Sequence, residues 1–158
     1  MSKLKYFFFI VFYSSAIYAE PYIVQVSTTS FGSEIAISTG SCNLTFDTST
    51  LTNTSGVICT GTMGSRGHYK VYATPSTTVR IVVRPHNDSG DGVVFSPDGV
   101  VFSDSTAEIA FVEYTTINID SGVSGIVEIY VGGVLSLLSK QFPNMTVNFT
   151  YEIDFSEI

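Results

Sequence analysis

The sequence predicts an all-β protein of the sandwich or barrel type, and three observations carry that prediction. Val, Ile, Thr, Tyr and Phe are spread over the whole chain after residue 19, while strong helix formers are sparse there. Short runs of these residues are divided by Gly, Pro, Asn, Asp and Ser, the punctuation of strands joined by turns. Residues 146–155 then alternate strictly between apolar and polar side chains, as a strand with one face on a core and one in water must.

The first 19 residues stand apart. Lys3 and Lys5 precede the apolar run Tyr6–Tyr13, and Ser14, Ser15, Ala16 and Ala19 supply small residues after it. This is the three-part pattern of a secretory signal peptide, with cleavage expected after Ala19. The apolar run is too short to cross ~30 Å of hydrocarbon as a helix. No later segment is apolar enough or long enough to span a membrane, so no transmembrane span is expected in the mature chain. The remainder is one domain by length. It divides into an N-terminal extension, residues 20–30, and a domain body, residues 31–158.

The expected strands follow in order. Tyr22–Thr28 places Tyr22, Val24 and Val26 on one face. Ile35–Ser38 is short. Ser41–Asp47 carries Cys42, Leu44 and Phe46 on one face, and Gly56–Thr62 carries Cys59. Gly67–Thr74 sets His68, Lys70 and Tyr72 against Tyr69, Val71 and Ala73. Thr77–Arg84 sets Val79, Ile81 and Val83 against Arg80 and Arg84. Val93–Phe95 and Val100–Phe102 are read as a hairpin across Pro97-Asp98-Gly99, in a stretch where Gly-Val-Val-Phe-Ser occurs twice. Glu108–Glu113, Thr115–Ile119, Gly125–Val131 and Val134–Leu138 complete the series before Thr146–Phe155. In that last strand Val147, Phe149, Tyr151, Ile153 and Phe155 share the apolar face, and a slip of one residue would bury Glu152 and Asp154.

Cys42 and Cys59 both lie in the exported part. In an oxidising compartment such a pair reads as a disulfide, worth about 3 kcal/mol on the chain-entropy account. Two free buried thiols are the alternative. With both leader lysines gone, five basic residues (Arg66, Lys70, Arg80, Arg84 and Lys140) face fourteen acidic ones, a net charge of −9. That balance argues against nucleic acid and anionic membrane surfaces as partners.

Nothing in the sequence marks a catalyst. His68 and His86 are the only histidines, and no serine sits in a GxSxG elbow. No cofactor or zinc site is expected, because the two histidines are isolated and only two cysteines exist. Asn87–Gly92 has a faint calcium-loop composition but lacks the terminal Glu and the flanking helices, and reads as a turn. Asn-x-Ser/Thr triplets at Asn43, Asn53, Asn87, Asn144 and Asn148 arise readily in a chain this rich in Ser, Thr and Asn.

Several segments together resemble the exported bacterial family known as DUF4402. They are Ser30-Phe31-Gly32, Gly40-Ser41-Cys42, Cys59-Thr60-Gly61, Gly67–Val71, Thr74–Val79 and Ile129–Leu135, followed by the closing strand. Members of that family are similar to subunits of chaperone–usher pili. The resemblance implies an immunoglobulin-like β-sandwich, incomplete in one chain and completed by a donor strand. It further implies export through the periplasm to the surface of a Gram-negative bacterium, as a fimbrial subunit. Neighbouring pilin subunits, a periplasmic chaperone and an outer-membrane usher are the implied partners. Tyr22, Val24, Val26 and Thr28 would be the donor residues, and Val147, Phe149, Tyr151, Ile153 and Phe155 the edge that receives a donor. A second class of function is a displayed binding module, an adhesin recognising carbohydrate or host protein through Tyr69, Tyr72, Tyr114 and Tyr130. A secreted hydrolase is the third.

Overall fold

The computed structural model describes residues 20–32, 38–86, 92–140, 147 and 149–158. The signal peptide, residues 35–37 of the short strand, residues 87–91 of the calcium-like loop, and Asn144 and Asn148 lie outside them. Ten strands are present and, among the described residues, no helix. They are β1 (Tyr22–Ser27), β2 (Gly40–Leu44), β3 (Leu51–Ser55), β4 (Gly67–Tyr72), β5 (Thr78–His86), β6 (Val93–Ser103), β7 (Ile109–Val112), β8 (Thr116–Asp120), β9 (Ile126–Leu137) and β10 (Thr150–Glu157).

Two antiparallel sheets form a β-sandwich. The large sheet has seven strands and the small one runs β10-β5-β8. The spine of the large sheet is β9. On one edge it pairs first with β4 (Tyr72↔Ile126 to Gly67↔Val131) and then with β2 (Leu44↔Gly133 to Gly40↔Leu137). On its other edge it pairs with β6 along eleven residues. Outside these lie β1 on β4, β3 on β2 and β7 on β6.

The core has two lobes. In one, Val71, Val127, Ile129, Val131, Val101 and Phe111 of the large sheet meet Val79, Ile81, Val83, Ile117 and Ile119 of the small one. The second lobe lies along the other half of β9. There Leu44, Leu51, Phe95, Leu135 and Leu137 are covered by Phe31, Ile58, the disulfide and the segment carrying Val147 and Phe149. Tyr151 packs against both lobes.

Two expected turns are absent. Val93–Phe95 and Val100–Phe102 are not a hairpin but parts of one strand, β6, in which Val93, Phe95, Pro97, Gly99 and Val101 are all buried on the inward parity. Pro97 pairs with Gly133 in the β9 ladder and lies just outside the β7 ladder, which begins at Asp98, so the edge on that side needs no donor from it. The repeated Gly-Val-Val-Phe motif has a period of seven, an odd number, so its two copies face opposite sides of the sheet. Gly125–Val131 and Val134–Leu138 are likewise one strand, and the inward parity of Val131, Gly133, Leu135 and Leu137 runs unbroken through Gly132-Gly133.

The strand expected over Gly56–Thr62 lies upstream, at Leu51–Ser55. Asn53 explains the shift. Its side-chain oxygen accepts from the Ile58 and Cys59 amides, and its amide nitrogen donates to the Cys59 carbonyl. These bonds satisfy the return loop without a ladder, and Gly56 supplies the left-handed turn at φ 60°. Cys42 and Cys59 form the expected disulfide, fully buried in the second lobe.

Close backbone approach makes some glycines irreplaceable. A Cβ on Gly99 would stand 1.9 Å from the Tyr130 carbonyl oxygen and 2.8 Å from the Phe111 ring. Gly99→Ala should therefore lower unfolding free energy by about 3 kcal/mol, the upper end for overpacking. Gly61→Ala, whose Cβ would meet nothing nearer than 3.9 Å, should stay within about 0.5 kcal/mol of the parent. Urea unfolding of the two variants checks this.

Candidate functional site

Strands β1 and β10 are the edges of the two sheets on the same side of the sandwich. Among the described residues β1 pairs only with β4, and β10 only with β5. Between them runs a seam, with a cavity of about 250 Å³ lined by Ile23 and Gln25 of β1, Tyr69 of β4, and Tyr151 and Ile153 of β10. Among the described residues neither flanking edge has a further ladder partner, the arrangement to which an extra strand adds.

The closing strand, expected over Thr146–Phe155, is β10 from Thr150 to Glu157, with Val147 and Phe149 preceding it. Tyr151, Ile153 and Phe155 pack on the first lobe and Val147, Phe149 and Tyr151 on the second. Glu152 is exposed, and Asp154 pairs with Arg84 on the outer side. The ladder with β5 fixes this register over eight pairs, Thr150↔His86 to Glu157↔Val79. The apolar side chains of β10 are only half-buried, so the seam leaves core surface uncovered.

The N-terminal extension is not free. It folds back as β1, antiparallel to β4 (Tyr22↔Tyr72 to Ser27↔His68), with Val26 as the extra residue of a bulge. Its inward apolar side chain is Ile23, which touches the first lobe. Tyr22, Val24 and Val26 point outward and are 53%, 41% and 54% exposed, and Thr28 is exposed too. Tyr22 stacks on Tyr72 at 4.8 Å. Docked on its own domain, the strand thus turns its richer apolar face to water.

Polar contacts hold it instead. The Ser27 hydroxyl donates to the Arg66 carbonyl, and the Ser65 hydroxyl donates to the Thr28 carbonyl. The Gln25 amide donates to the Tyr69 hydroxyl at 3.1 Å; Tyr69 and Tyr151 hydroxyls meet at 2.7 Å, and Tyr151 meets the Thr29 hydroxyl at 2.6 Å. Burial pushes both tyrosine pKa values up, so neither hydroxyl ionises in the ordinary range. Gly67 makes room for this chain: a Cβ there would lie 2.5 Å from both the Tyr151 and Thr29 hydroxyl oxygens. The alternation sets Tyr69 with Val71 and Ala73, and Tyr151 with Ile153 and Phe155. It gave no sign that their hydroxyls meet across 82 residues of chain.

The outer face of the large sheet holds a second polar group. His68 Nε2 lies 2.8 Å and Lys70 Nζ 3.2 Å from the two Glu128 oxygens. Arg66 stacks on the Tyr130 ring at 3.8 Å and donates to the Phe46 and Asp47 carbonyls. The four tyrosines considered for a sugar platform do not converge. Tyr69 faces the seam, Tyr72 lies under Tyr22, Tyr130 lies under Arg66, and Tyr114 is exposed in the β7–β8 turn. Among the described residues no cluster of three or more His, Cys, Asp or Glu could hold a metal ion.

Neither a family model, nor a curated protein, nor a solved structure matches the chain.

Two carboxylates on this face have opposite titration signatures. Desolvation acts to raise the Glu128 pKa, but the hydrogen bonds and charges of His68 and Lys70 outweigh it and hold it below the usual range. A depressed native pKa contributes stability above the ordinary carboxylate range and loses it as pH falls through the native value. Asp98 is the reverse. Its Oδ1 is buried without a hydrogen-bond partner among the described residues, and burial raises its pKa. The stability linked to it is full in acid and declines as pH rises past the ordinary range. Thermal melts from about pH 3 to pH 7 should separate them. Glu128→Gln should flatten the acid loss of stability, whereas Asp98→Asn should raise the melting temperature at pH 7 and leave it nearly unchanged at pH 3.

Proposed function

We propose that the chain is a structural subunit of a bacterial surface filament, linked by exchange of its N-terminal strand. The observation that carries this is the mismatch in β1. The strand exposes Tyr22, Val24 and Val26 while partly burying Ile23 alone among its apolar residues, and it lies beside a seam whose second edge, β10, has no further partner among the described residues. Turning a strand over requires only a one-residue change of register. In the seam of a second copy, Tyr22, Val24, Val26 and Thr28 could then face the uncovered apolar surface of Tyr151, Ile153 and Phe155. Burying the exposed halves of three large side chains contributes roughly 1 kcal/mol each, in addition to main-chain hydrogen bonds on a free edge.

Such a contact is head-to-tail. Each subunit gives a strand and receives one, so the assembly grows without closing. On this reading a periplasmic chaperone holds the seam before assembly and an outer-membrane usher passes subunits to the surface. Both partners are what the resemblance to DUF4402 implies. The disulfide and the acidic, catalytically unmarked sequence suit an exported structural part.

The test compares the chain from residue 20 with one lacking residues 20–29. The longer protein should form polymers resolved by size-exclusion chromatography and electron microscopy, and the shorter should not. The shorter protein should also bind an added peptide of residues 20–30 and melt at a higher temperature with it. Equal polymerisation of the two proteins would falsify strand exchange through β1.

A further inference from the structure

We infer that the Thr29–Tyr151–Tyr69–Gln25 chain is a latch that keeps β1 docked on its own domain, and so sets how readily the strand is released. The inference deepens the strand-exchange reading and rests on it for its biological sense, though the latch itself is a property of the monomer. The four groups come from three strands and one linker. Gln25 and Thr29 belong to the N-terminal segment, Tyr69 to β4 in the large sheet, and Tyr151 to β10 in the small sheet. The chain therefore crosses the seam and ties β1 to both sheets, which its ladder with β4 alone does not do.

The segment's other holds favour this reading. One side chain, Ile23, supplies its apolar anchorage in the first lobe. Beyond Thr29 the attachment changes character. Ser30 exchanges both backbone hydrogen bonds with Ser65, at 2.7 and 2.8 Å. Phe31 is buried, edge-on to Phe95 and Phe149. Release would thus stop at Ser30, and Thr29 is the last residue to come away. Its hydroxyl contact with Tyr151 sits at that hinge.

Ring and hydroxyl of Tyr151 do separate jobs. The ring packs on Phe95 and Tyr69 and joins the two core lobes. The hydroxyl makes two of the latch contacts. Tyr151→Phe keeps the ring and removes those contacts. Thr29→Val removes one and leaves Tyr151 unchanged, so it is the milder variant should the first fold poorly.

The experiment is hydrogen exchange, amide by amide, on the chain from residue 20 under conditions where it is monomeric. In Tyr151→Phe the ladder-bonded amides of β1 should exchange several-fold to about tenfold faster, as expected for the loss of the one bond that joins Tyr151 to the N-terminal segment. Amides of β9 should keep their rates, and Thr29→Val, which loses the same bond, should accelerate β1 to a similar degree. Unchanged β1 rates in both variants, or equal acceleration of β1 and β9, would overturn the latch. Polymerisation is read separately on the same proteins. Faster polymerisation with faster β1 exchange supports both ideas. Faster β1 exchange without any polymer leaves the latch standing and removes the filament.

Discussion

Strand β9 can serve two neighbours along one edge because Gly132 and Gly133 sit where β4 ends and β2 begins. A Cβ on Gly132 would stand 2.3 Å from the Leu44 carbonyl oxygen, and one on Gly133 2.4 Å from the Ser96 carbonyl oxygen. At those distances real side chains are excluded, so the junction exists only with two glycines there. The consequences spread through the fold. The β4 half of β9 is roofed by the small sheet, and the β2 half is roofed by the disulfide loop, Phe31 and the segment before β10. A sandwich divided in this way needs its last strand to lie over both lobes, which places Tyr151 at the border between them.

What the sequence revealed and what it hid follow from this same junction. The closing strand was legible because each inward residue from Tyr151 to Phe155 is apolar and the alternating ones are polar, a pattern a local rule can read. The strands β6 and β9 were cut in two because Pro97, Gly99 and the Gly132-Gly133 pair have the local chemistry of turns. Their role is set by backbones that approach from far along the chain, and no window of sequence announces that approach. Asn53 misled in a different way. Its side chain replaces ladder bonds in the loop to Cys59, so the β-rich stretch after it is not a strand. The cysteine pairing needed only the count of two and an oxidising compartment. The candidate site was half legible: β1 and β10 were identified, but the docking of one beside the other depends on hydroxyl contacts 82 and 122 residues apart.

The placement of β1 carries a cost that the central strands do not. In the spine of the large sheet the inward parity is apolar, as in Val127, Ile129 and Val131. In β1 the inward parity is Ile23 and Gln25, and the apolar set points out. The strand also carries no charge, whereas natural sheet edges are commonly guarded by Lys, Glu or Pro. An unguarded edge with its apolar side in water is a liability in a monomer and an asset in a subunit meant to join another. The same six residues have two available faces, and the domain uses the poorer one on itself.

That choice makes polar geometry, rather than apolar burial, the hold on β1, and the two respond differently to assembly. Apolar burial in cis would compete directly with apolar burial in trans, since the same side chains would have to leave one core to enter another. A hydroxyl chain does not compete in this way. Its members can exchange partners with water when the strand leaves, at a net cost of roughly 1 kcal/mol per bond, and none of the core side chains of β4 or β10 has to move. Tyr151 concentrates the logic in one residue. On the strand-exchange proposal its ring would stay in the core throughout, while its hydroxyl contact with Thr29 would be made only when β1 is docked. Gly67, which opens the space for that hydroxyl, is therefore as much a part of the latch as the four groups that form it.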